Sequence, residues 1–367
     1  AIKAASANHF RLKFSATYHP IIGVMKVKFK KYTLDFKRPS GTSRGVLRQK
    51  ETYFIEIIKG NRRGVGECGL FRGLSCDDVP NFEAQLAAVC KALEKGEDTT
   101  ALCANYPSIQ MGVEMALLSF NSPTPFQLFD TAFSHGQQPI SINGLVWMGD
   151  VAYMRQQVFD KIDAGFDCIK LKIGALDFTV ECQLLTEIRE RYSAKEVTLR
   201  VDANGAFSTD EALGKLKTLS TFDLHSIEQP IAAGQVDALA DLCAKTPLPI
   251  ALDEELIGVL QQDDKSRLLD NIKPQYIILK PSLLGGFAAS EAWIRLAEER
   301  NIQWWVTSAL ESNIGLNAIA QWTASLNTST PQGLGTGSLF TNNIGSPLVV
   351  KAGVLRYDNS LSWGYHF

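Results

Sequence analysis

Two kinds of periodicity divide the chain. Residues 27–36 alternate apolar and polar side chains, the period-two pattern of a half-buried strand, and residues 51–58 form a second β-rich run. The stretch between them, 37–50, holds Arg38, Pro39, Gly41, Arg44, Gly45 and Arg48 and reads as a flexible loop. Residues 61–69 look like a turn into a third strand, and helical patterns follow over about 81–93 and 109–120, completing a small α+β unit. Beyond about Pro139 the texture changes. Short β-rich runs at 140–146, 168–173, 197–202, 225–228, 250–253, 276–280, 304–308 and near 333–336 alternate with helical stretches such as 150–164, 180–192 and 209–219. This alternation predicts parallel strands joined by crossover helices. Eight units in a row, with no glycine-rich phosphate fingerprint after the first strand, favour a closed (β/α)8 TIM-like barrel over an open sheet.

The last residues, about 347–367, fit neither pattern. Val349, Val350, Leu355, Tyr357, Trp363, Tyr365 and Phe367 predict a tail that packs back on the N-terminal unit. The expected division is therefore an α+β unit over 25–130, a barrel over 131–340 and a returning tail over 341–367. Residues 1–24 show little periodicity, and Met25 opens the first clear strand. They read as an extension upstream of a natural start at Met25, or else as an arm packed on the body.

Length and charge narrow the function classes. The chain has 367 residues, 45% hydrophobic and 21% charged, an ordinary globular composition with room for a barrel of about 250 residues and an attachment. A formal net charge of -2 offers no field for nucleic acid or a membrane surface. The lysines over 26–31 alternate with Val27 and Phe29, which suits a half-exposed strand better than a basic patch. The seven cysteines are odd in number and form no C-x-x-C pair, the usage of a reduced, cytoplasmic protein. No apolar run is long enough for a transmembrane helix, and the first residues lack the pattern of a signal peptide.

The chemistry lies at the strand ends. Runs two to seven finish in or near Lys170 and Lys172, Asp202, Glu228, Asp253, Lys280 and Ser308, with gaps from Lys172 of 30, 26, 25, 27 and 28 residues. Each gap is one strand–helix repeat, so all of these side chains fall at the C-terminal mouth of the barrel, where active sites are built. Any one of them has a plainer explanation; Asp202 alone reads as a helix N-cap. Three convergent carboxylates, however, repel one another unless a counter-ion is present. A hard divalent cation with oxygen ligands resolves the conflict, and Mg2+ is the natural choice, with Mn2+ as a substitute. Metal and lysine together suit enolisation, the lysine moving a proton alpha to a carboxylate. To act as bases at neutral pH the lysines need lowered pKa values; Lys170, two residues from Lys172 and on the same face, would contribute by like-charge proximity.

With these residues in place the chain resembles the enolase superfamily, and within it the muconate-lactonising-type subgroup. The resemblance covers most of the chain from Met25. It is carried by I-K-L-K-I-G (169–174), R-V-D-A-N-G (200–205), I-E-Q-P (227–230), A-L-D-E (251–254) and L-K-P (279–281). In this order and spacing the five are highly specific. The resemblance implies a capping domain drawn from both chain ends, with segments near 37–50 and 68–75 closing over a small carboxylate substrate. It implies Asp202, Glu228 and Asp253 as metal ligands and Lys172 and Lys280 as the acid/base pair. Asn204 and Glu254 would orient the ligands, although Asn204 before Gly205 equally suits a simple turn.

Within the subgroup the options are a dehydratase of menaquinone biosynthesis, an N-acylamino acid racemase or dipeptide epimerase, and a muconate-type cycloisomerase. The epimerases typically carry an Asp-x-Asp-type element at the eighth strand, where this chain reads Gly333-Leu334-Gly335-Thr336-Gly337, without a carboxylate. The segment T-S-A-L-E-S-N-I-G (307–315) resembles that of the dehydratases, whose backbone and hydroxyls at the positions of Ser308 to Ser312 meet a succinyl carboxylate. The implied activity is the syn dehydration of a succinyl-substituted hydroxycyclohexadiene carboxylate, a hydro-lyase reaction, with Ser308, Ser312 and Arg44 as substrate contacts. Arg44 and Arg48 read equally as solvated loop charges. Glu311 would oppose an anionic substrate and is expected to point away or to be paired.

Overall fold

The computed structural model describes residues 25–42 and 45–367. The expectations for residues 1–24 and for Arg44 lie outside them. Strands β1 (Lys26–Thr42), β2 (Gly45–Lys59) and β3 (Arg62–Cys68) form an antiparallel sheet in that order. From Thr52 to Ile57 strand β2 is buried on both faces. Tyr53, Ile55 and Ile57 pack with Leu86, Val89 and Val113 from the helices Phe82–Glu94 and Pro107–Asn121, while Phe54 joins the core of the barrel. Gly66 sets the approach of helix to sheet: a Cβ there would collide with the Gly112 carbonyl oxygen and lie 2.6 Å from Ala116 N.

The segment 37–50 is not a free loop. It continues the β1–β2 hairpin, with an irregularity between Asp35 and Ser40 and pairing resumed through Ser40↔Leu47 and Gly41↔Val46. Leu34 and Phe36 of this arm bury against Trp147, Leu310 and Phe340, and Leu47 packs on that cluster. Isolated bridges Phe36↔Phe340 and Gly41↔Met148 attach the arm to the barrel mouth. The apolar side chains of the arm thus find partners on the barrel, which offsets the turn-forming composition.

The expected run over 140–146 divides into β4 (Ile140–Ser141) and β5 (Gly144–Val146). After it come β6 (Cys168–Lys172), β7 (Thr198–Asp202), β8 (Ser226–Glu228), β9 (Ile250–Leu252), β10 (Tyr276–Leu279) and β11 (Gln303–Val306). Strands β5 to β11 pair in sequence order as one curled parallel sheet. The eighth stave is reduced to Gln332 and Gly333. These bridge in parallel to Ile142 and Thr307, with Gln332 N donating to Ser141 O (2.9 Å) and Gly333 N to Val306 O (2.8 Å). The strand expected near 333–336 therefore ends early, and Thr336–Leu339 is a short 3-10 turn. Three glycines, Gly333, Gly335 and Gly337, within five residues weaken a longer ladder.

The crossover helices begin at capping residues. Asp150 accepts from Tyr153 N (2.8 Å) at the start of Val151–Asp163, and Ser208 with Glu211 forms a capping box for Thr209–Leu219. Finally β12 (Leu348–Lys351) pairs with β13 (Val354–Tyr357), which adds to β4 in antiparallel. The tail reaches back to the first sheet. Trp363 stacks on Phe126 with centroids 4.3 Å apart, and Tyr365 OH donates to Glu56 Oε1 at 2.6 Å. All seven cysteines are free thiols. No helix among the described residues is long and apolar enough to cross a membrane.

Candidate active site

Parallel pairing places the charged side chains at one level. Lys172 is the register partner of Asp202, and Asp202 of Glu228; Asp253 and Lys280 directly follow β9 and β10. Lys170, Lys172, Asp202, Glu228 and Asp253 are all buried. Lys172 and Lys280 stand on strands four positions apart in the sheet, so they approach the mouth from different sides.

The ammonium groups lie among the carboxylates. Lys170 Nζ is 2.9 Å from Asp202 Oδ2 and also bonds Glu228 Oε2. Lys172 Nζ donates to Asp202 Oδ2 at 3.0 Å and to Asn204 Oδ1 at 2.7 Å, and Asn204 Nδ2 donates to Glu254 Oε1 at 3.0 Å. Lys280 Nζ is 2.5 Å from Asp253 Oδ2 and 3.8 Å from Glu228 Oε1. Burial opposes the charge on Asp202, yet Lys170 and Lys172 outweigh it and hold this carboxyl well below the usual range. Burial, reinforced by Asp202 and Asp253, pushes Glu228 up to about 8. Burial disfavours charge on Lys170 and Lys280, but the adjacent carboxylates raise both above the ordinary lysine value.

The divalent cation implied by the resemblance needs hard oxygen donors grouped together. Among the described residues no three carboxylate, histidine or cysteine groups converge as a ready metal cage, because lysine ammoniums separate the carboxylates. The donor set is nevertheless all oxygen, from three neighbouring strand ends, as hard divalent ions prefer. Glu228 Oε1 is buried without a hydrogen-bond partner, which in a charged cluster calls for a further positive group. The residues fit a divalent ion.

A cavity of about 460 Å³ opens above this cluster. Lys170, Lys172, Asp202, Asn204, Lys280 and Ser308 all reach it. Ser308 Oγ is 2.6 Å from Thr336 Oγ1. Ser312 does not line it. That hydroxyl donates to Glu67 Oε2 (2.6 Å) and accepts from Ile314 N (3.1 Å), capping the helix Asn313–Ser325, so the structure gives it to helix capping and not to a substrate. Glu311 is paired as expected: it accepts from Ser282 Oγ and Ala309 N. Arg48 is exposed and away from the cavity.

Sequence reasoning overlooked Trp147 and Arg38. Trp147 follows β5 directly, and its ring lies 5.9 Å from Lys172 Nζ. The rule that strand ends line the mouth, applied to the first barrel strand, would have found it. Lys37, Arg38 and Leu47 enter the cavity wall from the hairpin arm, and Phe71 and Leu74 from the turn after β3. No local signal singles out Arg38 among the arginines of that segment.

Fold and site together define a barrel enzyme with lysines and carboxylates gathered at the strand ends, beneath an antiparallel cap. Residues 153–360 match the family model described as Enolase C-terminal domain-like, and residues 24–120 match MenC, N-terminal domain. The chain belongs to the enolase superfamily, which implies use of a divalent metal. It is 45% identical to the o-succinylbenzoate synthase of Desulfotalea psychrophila, over 90% of this chain and 98% of that one. The o-succinylbenzoate synthase of Vibrio cholerae is 26% identical over 82% of this chain and 86% of its own. Among solved structures, MenC from Desulfotalea psychrophila superposes with a TM-score of 0.82 at 42% identity, covering 91% of this chain and 100% of that one. The L-Ala-D/L-Glu epimerase of Bacillus subtilis shares the fold at 19% identity, with a TM-score of 0.78 over 91% and 96% of the two chains.

Proposed function

We propose that this chain is an o-succinylbenzoate synthase, a hydro-lyase of menaquinone biosynthesis that dehydrates the succinyl-substituted hydroxycyclohexadiene carboxylate to the aromatic product. The observation that carries the reading is the 45% identity to the Desulfotalea psychrophila synthase along nearly the whole of both chains. The site supports it with chemistry that the reaction needs.

In the reaction Lys172 acts in its neutral form and takes the proton alpha to the ring carboxylate. Asn204 Oδ1, 2.7 Å from Lys172 Nζ, aims the amine. The electron pair of the broken C–H bond moves into the carboxylate, giving an enediolate. Lys172, now an ammonium, returns its proton to the departing hydroxyl on the same face; water leaves and the ring becomes aromatic. Lys280, paired with Asp253, stays an ammonium and faces the ring from another side, where positive charge favours the anion. Asp202, Glu228 and Asp253 would hold Mg2+, with Mn2+ as a substitute. Bound there, the cation supplies positive charge against the charge that develops on the substrate carboxylate. Ser308 and the hairpin residues Lys37 and Arg38 form the cavity wall that a second, succinyl carboxylate can meet.

The proposed organisation is a capping domain over 25–130, a catalytic barrel over 131–340 and a tail over 341–367 that returns to the cap. A cytoplasmic location suits the seven free thiols. The test is ultraviolet-monitored turnover of the cyclohexadiene substrate by purified protein with and without Mg2+. Rapid metal-dependent aromatisation is the expected result; no reaction by metal-loaded protein would overturn the assignment.

A further inference from the structure

Behind the cavity wall lies a buried charge cluster that the dehydration does not use. Lys50 of β2, Glu67 of β3 and Glu311 of the barrel are all buried. Lys50 Nζ has no hydrogen-bond partner, and the charges that act on it are Glu67 and Glu311. Glu67 belongs to the cap yet is bound largely by the barrel. It accepts from Ser312 N (2.9 Å), Ser312 Oγ (2.6 Å) and Gly315 N (2.8 Å), as well as from Thr52 Oγ1 (2.8 Å) within its own sheet. A carboxylate there also meets the positive end of the helix Asn313–Ser325.

Glu311 connects this joint to the reacting side chains. One oxygen, Oε1, accepts from Ser282 Oγ at 2.5 Å, and Ser282 is two residues after Lys280. The other, Oε2, accepts from Ala309 N at 2.7 Å. That bond bends the chain back over Leu310, which adopts a φ of 63°, a left-handed conformation that a leucine takes only when its surroundings impose it. Leu283, Ser308, Ala309 and Leu310 all line the cavity. Glycine is needed at two points for the cluster to close. A Cβ at Gly69 would stand 2.7 Å from Ser282 Oγ and 3.0 Å from Glu311 Cγ, and one at Gly315 2.7 Å from Glu311 Cβ.

We infer that Glu311 is a positioning residue, tying the Lys280 turn to the Ser308–Leu310 wall beside the joint where Glu67 of the cap docks on the barrel. The inference deepens the proposed function and rests on it, since it takes Lys280 as a working group of the dehydratase. A buried ionic cluster is a poor device for stability alone, because well-packed apolar residues commonly do as well. Its bonds here converge on the turn that carries Lys280 and on Leu310, a strained residue of the wall.

The experiment measures kcat, KM and melting temperature for the wild type, S282A, E311Q and K280A. S282A removes only the tether, and E311Q leaves an amide that accepts poorly from two donors at once. Both are expected to lower kcat on the order of 10- to 100-fold with KM little changed, the size of effect that a small misplacement produces. Folded S282A and E311Q with wild-type kcat would overturn the inference, as would a drop in melting temperature with no kinetic change. If E311Q does not fold, S282A decides. An inactive wild type, or a fully active K280A, would instead remove the functional reading and this inference with it.

Discussion

Lys172 Nζ donates to Asn204 Oδ1 at 2.7 Å, and Asn204 holds a left-handed backbone with φ 45°. Asparagine tolerates that conformation better than other residues with a side chain beyond Cβ, and its amide is anchored at Glu254. An Asn204→Ala variant is therefore expected to lose on the order of 10- to 100-fold in kcat, the usual cost of removing a group that orients a reacting one. Steady-state kinetics checks this. Unchanged kcat would show that Lys172 is aimed by Asp202 alone.

Lys172 should fail differently from its neighbours. Replacing Lys172 by alanine removes the proton carrier itself, so a loss of at least ~10²- to 10⁴-fold in turnover is expected. Near-normal turnover by that variant would refute the mechanism.

Metal dependence has a readout apart from activity. Mg2+ is expected to raise the melting temperature of the wild type, because a ligand that binds only the folded state stabilises it. Glu228→Gln should weaken that response, as Glu228 Oε1 is a buried acceptor without a hydrogen-bond partner. Chelation is expected to abolish turnover and added Mg2+ to restore it. Thermal scans and calorimetry with the metal alone give the answer without substrate.

His225 gives the stability a defined acid limb. Burial, aided by the Arg200 guanidinium, lowers its pKa from 6.5 to about 4, and its ring lies 4.9 Å from that of Tyr276. Below pH 6.5 the unfolded chain therefore binds a proton that the folded one refuses. The contribution is complete above about pH 6.5 and is lost as the pH falls towards 4. Melting temperatures across pH 4–7 should fall less steeply in His225→Gln than in the wild type; parallel curves would show that other groups set the acid limb.

Close packing of helix on sheet predicts a large effect at a small residue. Gly66→Ala would drive a methyl group into the Gly112 carbonyl and Ala116 N. Overpacking of this kind costs about 1–3 kcal/mol, and more where only backbone can yield. Chemical denaturation measures it; a wild-type midpoint would mean that helix Pro107–Asn121 shifts freely.

Much of the architecture was legible because it depends on repeats. Strand–helix alternation and the even spacing from Lys172 to Ser308 predicted parallel strands with their polar ends at one mouth, and the register Lys172↔Asp202↔Glu228 is the physical form of that spacing. The helical stretches expected at 150–164 and 209–219 lie close to the observed Val151–Asp163 and Thr209–Leu219. The misreadings share one cause. The hairpin arm over 37–50 looks like a loop because its turn-forming residues are visible locally, whereas the burial of Leu34 and Phe36 against Trp147 and Phe340 is not. The eighth stave looked longer than it is, because nothing in a short run states how many partners it will find.

The sequence by itself determined the fold class and which carboxylates and lysines meet, since a barrel converts even spacing into a ring. Only the tertiary structure decided that Ser312 caps a helix, that Arg38 and Trp147 enter the cavity, and that Glu311 bonds the turn after Lys280. Those outcomes depend on contacts between segments far apart in the chain, where the direction of a side chain is set by what packs against it and not by its neighbours in sequence.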